Sequence, residues 1–112
     1  MQVWKTDHIQ ELMKQMTSTC LNSTPHIRLQ AICTSTAKPE ELYKLKHGEL
    51  FVTINKGPVK LATANSTRDL DTGDYCLLVE GDEFSFYTDT NDKAVLIFCW
   101  SPGDGGCTKC QN

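Results

Sequence analysis

The chain has 112 residues, enough for a single domain, and its formal net charge is −3. Its basic residues are scattered, which argues against duplex nucleic acid as a partner, because phosphate binding requires a concentrated basic surface. The longest apolar run, Ala94–Trp100, is far shorter than the roughly 20 residues that span a bilayer. The N-terminus carries polar residues where a secretory signal needs an apolar core, so we expect a cytoplasmic protein that does not contact membranes.

The first segment, residues 1–24, predicts an amphipathic helix followed by a loop. Between Thr6 and Met16 the apolar residues recur at helical spacing, namely Ile9, Leu12, Met13 and Met16. A stripe of this kind typically covers the end of a barrel or a dimer seam. The polar stretch 17–24 stands before Pro25 and predicts the loop that ends the segment.

Residues 25–102 predict a domain of short strands. The first strand alternates, and we expect its apolar set, Ile27, Leu29, Ala31 and Cys33, to face inward. Two strands joined at His47-Gly48 follow within 41–54. Further strands are predicted at 59–63, around Leu70, and at 75–79, 84–88 and 94–100. Strands separated by Gly, Asn, Asp or Pro turns every 8–12 residues or so indicate an all-β sandwich or barrel.

Glycine and acidic residues recur at defined spacings in two stretches of this domain, residues 41–48 and 73–86. In the first, Glu41 is separated from Gly48 by six residues, and in the second Gly73, Gly81 and Ser85-Phe86 frame two short strands. The pattern resembles the two conserved motifs of the cupin family over roughly residues 27–102. Cupins are small jelly-roll barrels in which two histidines and a glutamate of the first motif join one histidine of the second to hold a divalent metal. The resemblance implies a cupin-like jelly-roll barrel with one N-terminal amphipathic helix.

The resemblance leaves only one of the four metal ligands in place. Glu41 is the counterpart of the glutamate, but the histidine pair would fall within residues 34–37, at Ser35 and Ala37 in the register that we favour. In the second motif, Phe84 stands where the histidine would be. A lone carboxylate cannot assemble the ligand set that transition metals prefer. We therefore expect a barrel without a metal or another cofactor.

A metal-free barrel would offer its interior as a small-molecule pocket. By strand parity from the two motifs, the predicted ligand-binding residues of this lumen are Glu41, Tyr43, Phe84, Phe86 and Thr88. Apolar walls with a few polar groups suit a small ligand. The alternative is that the rings fill the barrel, because an eight-stranded barrel is just wide enough for side chains or for one small ligand. Glu41 is likewise either a ligand-binding acid or, if the register is shifted by one residue, a surface residue.

Three functions stay open from these residues. The leading hypothesis is a metal-independent domain that binds a small polar or aromatic-containing ligand as a sensor or sequestering protein. The second is a metal-independent cupin enzyme of the sugar-nucleotide isomerase or epimerase type, which relies on acid and base side chains in the barrel. The third is a protein-interaction module that acts through its outer surface or a dimer interface. A homodimer is expected because small cupins often pair through their sheets.

The tail, residues 103–112, contains a Cys-x-x-C pair at Cys107 and Cys110. This spacing suits half of a structural zinc site, a disulfide, or two free thiols on a free tail. A zinc site would need two more ligands, for which the candidates are Cys20, His8 and His26. The other cysteines lie in apolar strands, where free cysteine behaves as a small buried hydrophobe.

Overall fold

The computed structural model describes residues 1–34, 40–90 and 92–103, together with the backbone of 107–109. Within these ranges the chain forms one helix and ten strands. These are α1 (Thr6–Leu12), β1 (Ser18–Ser23), β2 (Arg28–Cys33), β3 (Tyr43–Leu45), β4 (Glu49–Lys56), β5 (Val59–Thr63), β6 (Thr67–Leu70), β7 (Tyr75–Val79), β8 (Glu83–Tyr87), β9 (Val95–Ser101) and β10 (Cys107–Lys109). The described part of the chain contains no helix long and apolar enough to cross a membrane.

The strands form two antiparallel sheets with the main core between them. The first sheet has the strand order β1-β2-β9-β4-β7, and the second has the order β10-β3-β8-β5-β6. Neighbours in each sheet are mostly distant in sequence, since the chain crosses repeatedly from one sheet to the other. This is the jelly-roll arrangement, so the predicted all-β fold with one N-terminal helix is confirmed.

The period of two in the sequence determines which side chains fill the core. On β4, Leu50, Val52 and Ile54 are buried and point into the barrel, and Phe51 lies on the opposite face. The register pairs all three with buried residues of β9, and Leu50 also pairs with the buried Leu78 of β7, so one hydrophobic layer runs across the sheet. The core is completed by Leu45, Val59, Leu61, Leu78, Phe84, Ala94, Leu96, Phe98 and Trp100.

The predicted inward face of β2 is wrong. Ala31 and Cys33 lie on the outer face of the first sheet, where they form a second apolar cluster with Ile9 and Met13 of the helix. The residues of β2 that face the barrel are the alternate set, among which Ile32 packs on the main core. One face of β2 packs on the barrel core and the other packs against helix α1. Because both faces are buried, alternation in the sequence does not tell which face points into the barrel.

Helix α1 is held to the first sheet by this second cluster and by hydrogen bonds to Asn55. The Asn55 side-chain amide donates to the Thr6 carbonyl at 3.4 Å, and the Gln10 side-chain amide donates to the Asn55 carbonyl at 3.1 Å. The helix thus covers the outer face of the first sheet, whereas its apolar stripe was expected to cover the end of the barrel or a dimer seam. The helix ends at Leu12, earlier than the apolar stripe suggested.

Two segments predicted as irregular are strands. Residues 18–23 form β1, which pairs with β2 at the edge of the first sheet. In the tail, the backbone of residues 107–109 forms β10 and pairs with β3, so this segment is not a free tail. Polar edge strands resemble loops in composition, because one side of such a strand faces water.

The glycines of the two motifs shape the turns beside β3. Gly48 has a φ of +77°, and a Cβ there would collide with the Ser101 carbonyl. Gly81 has a φ of +93°, and its amide donates to the Leu45 carbonyl at 2.9 Å. In return the Leu45 amide donates to the Asp82 carbonyl at 3.0 Å. These two hydrogen bonds join the end of β3 to the turn between β7 and β8. Gly48 and Gly81 both have a positive φ, which glycine adopts freely.

Candidate ligand-binding site

A row of aromatic rings crosses the barrel interior. From one end to the other it runs through Tyr43, Phe84, Phe86, Phe98 and Trp100, with successive ring centroids 6.2, 6.0, 5.8 and 5.8 Å apart. These separations and the tilted or edge-to-face angles are those that aromatic pairs prefer. The row joins β3 and β8 of the second sheet to β9 of the first. The interior is therefore packed around rings rather than around polar groups.

Two rings of this row are less enclosed than the others. Tyr43 and Phe86 pack on the main core yet are only half-buried, whereas their neighbours Phe84 and Phe98 are buried. A ring that contacts the core on one side and is accessible on the other can stack against a small molecule without a rearrangement of the core. These two side chains mark the accessible part of the row.

The other predicted site residues have different environments. Phe84 and Thr88 are each 2% exposed, so they can support a site from behind but offer almost no surface to a ligand. The Thr88 hydroxyl donates to the Thr90 carbonyl at 3.4 Å. Glu41 is exposed and lies two residues before Tyr43 in the chain, outside the packed core. Of the five predicted residues, Tyr43, Phe84 and Phe86 are thus brought together directly.

Sequence reasoning missed a polar group at the far end of the row. The guanidinium carbon of Arg28 lies 5.2 Å from the centroid of the Trp100 ring, within cation–π range. The indole Nε1 of Trp100 donates to Oε1 of Gln30 at 3.2 Å. Arg28 and Gln30 belong to the face of β2 that was expected to point outward, and the correct parity would have placed both inside. The two side chains orient Trp100 and close this end of the aromatic row.

The residues at the cupin metal position do not fit a divalent metal. By the motif resemblance Phe84 corresponds to the second-motif histidine, and in the structure its hydrocarbon ring is flanked by the rings of Tyr43 and Phe86. Within residues 1–34, 40–90 and 92–103, no three His, Cys, Asp or Glu side chains come together as ligands. The expected counterparts of the histidine pair, Ser35 and Ala37, lie outside the described residues and provide no imidazole. No chemical step through a metal is derived for this barrel.

Three cysteines of the described strands, Cys33, Cys76 and Cys99, are poor nucleophiles. Burial raises the pKa of the Cys76 thiol to about 11, and it also raises the pKa of Cys33 and Cys99. A thiol that stays protonated neither attacks a substrate nor binds metal readily. Zinc in the tail stays a prediction, because Cys110 and the side chain of Cys107 lie outside the described residues. Cys20, one of its candidate partners, is a free and exposed thiol.

Comparison with solved structures places this geometry in a known architecture. An uncharacterized conserved protein with a double-stranded beta-helix domain from Klebsiella pneumoniae has a TM-score of 0.79 and 12% identity, over 100% of this chain and 99% of that one. A cupin-2 domain containing protein from Shewanella frigidimarina has a TM-score of 0.68 and 11% identity, over 88% and 94%. The polyketide cyclase RemF from Streptomyces resistomycificus has a TM-score of 0.67 and 12% identity, over 80% and 63%.

Sequence comparison adds nothing to this structural likeness. No protein-family model matches the chain, and no curated protein matches it. At such low identities the likeness extends to the fold, and function has to be argued from the site. The chain has the double-stranded β-helix fold of the cupins, as its two glycine-framed motifs predicted, with a phenylalanine where the second motif normally supplies a metal ligand.

Proposed function

We propose that the barrel binds a small polar or aromatic-containing molecule without transforming it, as a sensor or a sequestering protein does. The observation that carries this proposal is the half-buried state of Tyr43 and Phe86 within an otherwise buried aromatic row. Their accessible ring faces supply stacking area, and the Tyr43 hydroxyl supplies a polar group that fixes the orientation of a ligand. Phe84 supports the two rings from the core, and Thr88 is buried directly after β8.

Glu41 contributes from the rim in this proposal. It is exposed in the ligand-free chain and lies two residues before Tyr43, the first residue of β3, so its carboxylate can accept a hydrogen bond from a ligand that rests on the Tyr43 ring. An ionised acceptor also favours ligands that carry a donor, such as a hydroxyl, an amide or an amine. The site would then select ligands that have a flat apolar part and a hydrogen-bond donor at a fixed distance from it.

An isomerase or epimerase has less support. Such chemistry needs an acid and a base that both reach the substrate. At the proposed site only Glu41 and Tyr43 could act as acid and base, Arg28 lies at the far end of the aromatic row, and burial keeps the Cys76 thiol protonated. His47, the histidine nearest to β3 in the chain, is exposed. The binding role is therefore preferred over catalysis.

The first experiment identifies the ligand and then removes its contacts. Native mass spectrometry of the purified chain reports any bound metabolite, and Trp100 then serves as the fluorescent probe for titration, in a Trp4→Phe background that removes the other tryptophan. Glu41→Gln removes the ionised acceptor and should weaken binding by about 1.5–3 kcal/mol. Tyr43→Phe keeps the ring and removes the hydroxyl, at a cost of about 0.5–1.5 kcal/mol.

The matched control is Tyr75→Phe, which removes the same hydroxyl from an exposed tyrosine on the outer face of the first sheet. It should bind as the wild type does. If Glu41→Gln and Tyr43→Phe also bind as the wild type does, the ligand does not occupy this site.

A further inference from the structure

The outer face of the first sheet has an apolar patch along one edge. Three side chains of β7 are strongly exposed, Tyr75 at 67%, Leu77 at 55% and Val79 at 46%, and Phe51 of β4 is 38% exposed beside them. The rings of Phe51 and Tyr75 are in contact, with centroids 5.2 Å apart. Taking aromatic side chains at roughly 150–250 Å² and aliphatic ones at somewhat less, the patch exposes about 350 Å². Exposed apolar patches of this size often mark interaction sites.

This patch coincides with a sheet edge that carries no protective residue. Of the four edge strands in the described fold, β1 is rich in Ser, Thr and Asn, β6 contains Arg68 and Asp69, and β10 contains a lysine. Natural edges are commonly blocked in this way by polar or charged residues. In contrast, β7 reads Tyr-Cys-Leu-Leu-Val. An unblocked apolar edge is a template for pairing with another strand.

The hydrogen bonds of β7 show which of its backbone groups face outward. The Ile54 amide donates to the Asp74 carbonyl at 2.8 Å, so by alternation Cys76 and Leu78 bond to β4. Tyr75, Leu77 and Val79 then direct their amides and carbonyls to the open side. Val79 is already engaged, because its amide donates to Oδ2 of Asp82 at 2.8 Å and its carbonyl accepts from the Asp82 amide at 3.0 Å.

We propose that β7 pairs antiparallel with β7 of a second copy of the chain, about a twofold axis that passes beside Cys76. In this register Tyr75 lies opposite the partner's Leu77, and Leu77 lies opposite the partner's Tyr75. The backbone groups of these two residues are the ones left open in the described edge, and each opposed pair exchanges two hydrogen bonds. The two five-stranded sheets then become one continuous sheet of ten strands.

Other twofold registers fit the edge less well. A twofold axis at Leu77 would pair Tyr75 with the partner's Val79, whose backbone groups are engaged with Asp82. It would also bring Asp74 opposite the partner's Glu80, and like charges directly opposite are destabilising. An axis at Leu78 would pair Leu77 with the partner's Val79 and meets the same obstacle. The Cys76 register avoids both problems, since Glu80 then lies opposite the partner's Thr72.

The occupant is a second copy because the open edge is complementary to itself. On the outer face the pairing stacks Tyr75 on the partner's Leu77 twice, and aromatic–aliphatic pairs of this kind stabilise antiparallel strands. A patch of about 350 Å² is less than half of the roughly 800 Å² that each partner contributes to a standard interface. The expected dimer is therefore weak, forming over micromolar rather than nanomolar concentrations.

Sedimentation of the full chain over a range of concentrations tests the association. The wild-type mass should rise from 12.6 kDa towards twice that value. Leu77→Lys, a substitution at an exposed position, places two ammonium groups near the axis and should keep the chain monomeric with an unchanged circular dichroism spectrum. The matched control is Ile27→Lys, at a residue that is 39% exposed away from this edge, and it should associate as the wild type does.

Oxidative cross-linking tests the register. In the Cys76 register each Cys76 faces the partner's Cys76 as a non-hydrogen-bonded pair, with Cα atoms about 4.5 Å apart, which lies within disulfide range. Diamide accepts the two thiol hydrogens and becomes a hydrazine, while the two sulfurs form the new bond. Because burial raises the pKa of Cys76 to about 11, an alkaline pH and a long incubation are used to increase the amount of thiolate that reacts. The expected product is a dimer that peptide mapping assigns to Cys76 and that the Cys76→Ser variant does not form.

The opposite results overturn the proposal. A wild-type chain that stays at 12.6 kDa at high concentration would show that β7 does not pair with its own copy. Dimerisation that Leu77→Lys leaves intact would place the interface elsewhere. A cross-link that maps to Cys99 would indicate that two outer faces pack against each other instead of joining edge to edge.

Discussion

Removal of the Phe84 ring is the sharpest test of whether the barrel interior is packed at the position of the lost metal ligand. The ring is 2% exposed and lies in the middle of the aromatic row, 6.2 Å from Tyr43 and 6.0 Å from Phe86. In Phe84→Ala the transfer free energy of the ring is lost, and a cavity is left because the surrounding strands relax only in part.

The expected loss in the free energy of unfolding follows from the burial of the Phe84 ring. Phenylalanine-to-alanine changes in packed cores cost about 3–5 kcal/mol, a large share of the 5–15 kcal/mol that typically stabilises a domain. If the free energy of unfolding falls by about 2 kcal/mol per molar urea, the urea concentration at the unfolding midpoint should fall by roughly 1.5–2.5 M. The cavity is apolar, so a benzene-sized molecule should enter it and recover part of the lost stability.

Urea denaturation, followed by circular dichroism, measures this change, and Phe51→Ala provides a matched control. Phe51 is 38% exposed on the outer face, so its removal leaves no enclosed cavity and should cost about 1–2 kcal/mol. Both variants are compared at one low protein concentration, so that self-association through the outer face does not contribute. A cost for Phe84→Ala no larger than that for Phe51→Ala would mean that the ring borders open space and that the interior is not packed there.

Two further predictions concern the helix and a buried thiol. Met13 is buried against Ala31 and Val95, so Met13→Ala should lower the free energy of unfolding by about 2 kcal/mol and speed amide exchange in α1. The control Leu12→Ala, at the exposed face of the helix, should lower it by under about 1 kcal/mol. The free energy of unfolding should fall as the pH rises from about 9 to about 11, because the unfolded Cys76 thiol ionises first while the folded thiol keeps its proton. Equal pH slopes for wild type and Cys76→Ala would contradict the second prediction.

Much of the fold was predictable because the turn signals are local. The strand at Tyr75–Val79 agrees with its predicted bounds, and the strands on either side of Gly48 and Gly81 lie where the turn residues place them. At Gly48 and Gly81 the backbone has a positive φ, which glycine adopts freely and which fits the turns expected at these positions. Positions set by turn chemistry can therefore be read from the residues themselves.

What the sequence left undetermined depends on contacts between distant segments. The polar stretch 18–23 is a strand because β2 lies beside it, and nothing within the stretch distinguishes an edge strand from a loop. The inward face of β2 was predicted wrongly because helix α1 buries the outer face of this strand. As a result, Arg28 and Gln30 were not predicted to lie in the barrel interior. The inward orientation of Tyr43, Phe84 and Phe86 was predicted correctly because the resemblance to the family motifs set the parity of their strands.

The two proposals use different faces of the barrel and can be tested separately. The ligand site involves Tyr43 and Phe86 on the inner face of the second sheet, whereas self-association uses the outer face and the open edge of β7 in the first sheet. Substitutions more than about 7–10 Å apart with no shared partners usually act additively. Leu77→Lys should therefore leave ligand affinity unchanged, and Tyr43→Phe should leave the dimer intact. Coupling between the two would mean that the core between the sheets transmits a shift from the dimer edge to the aromatic row.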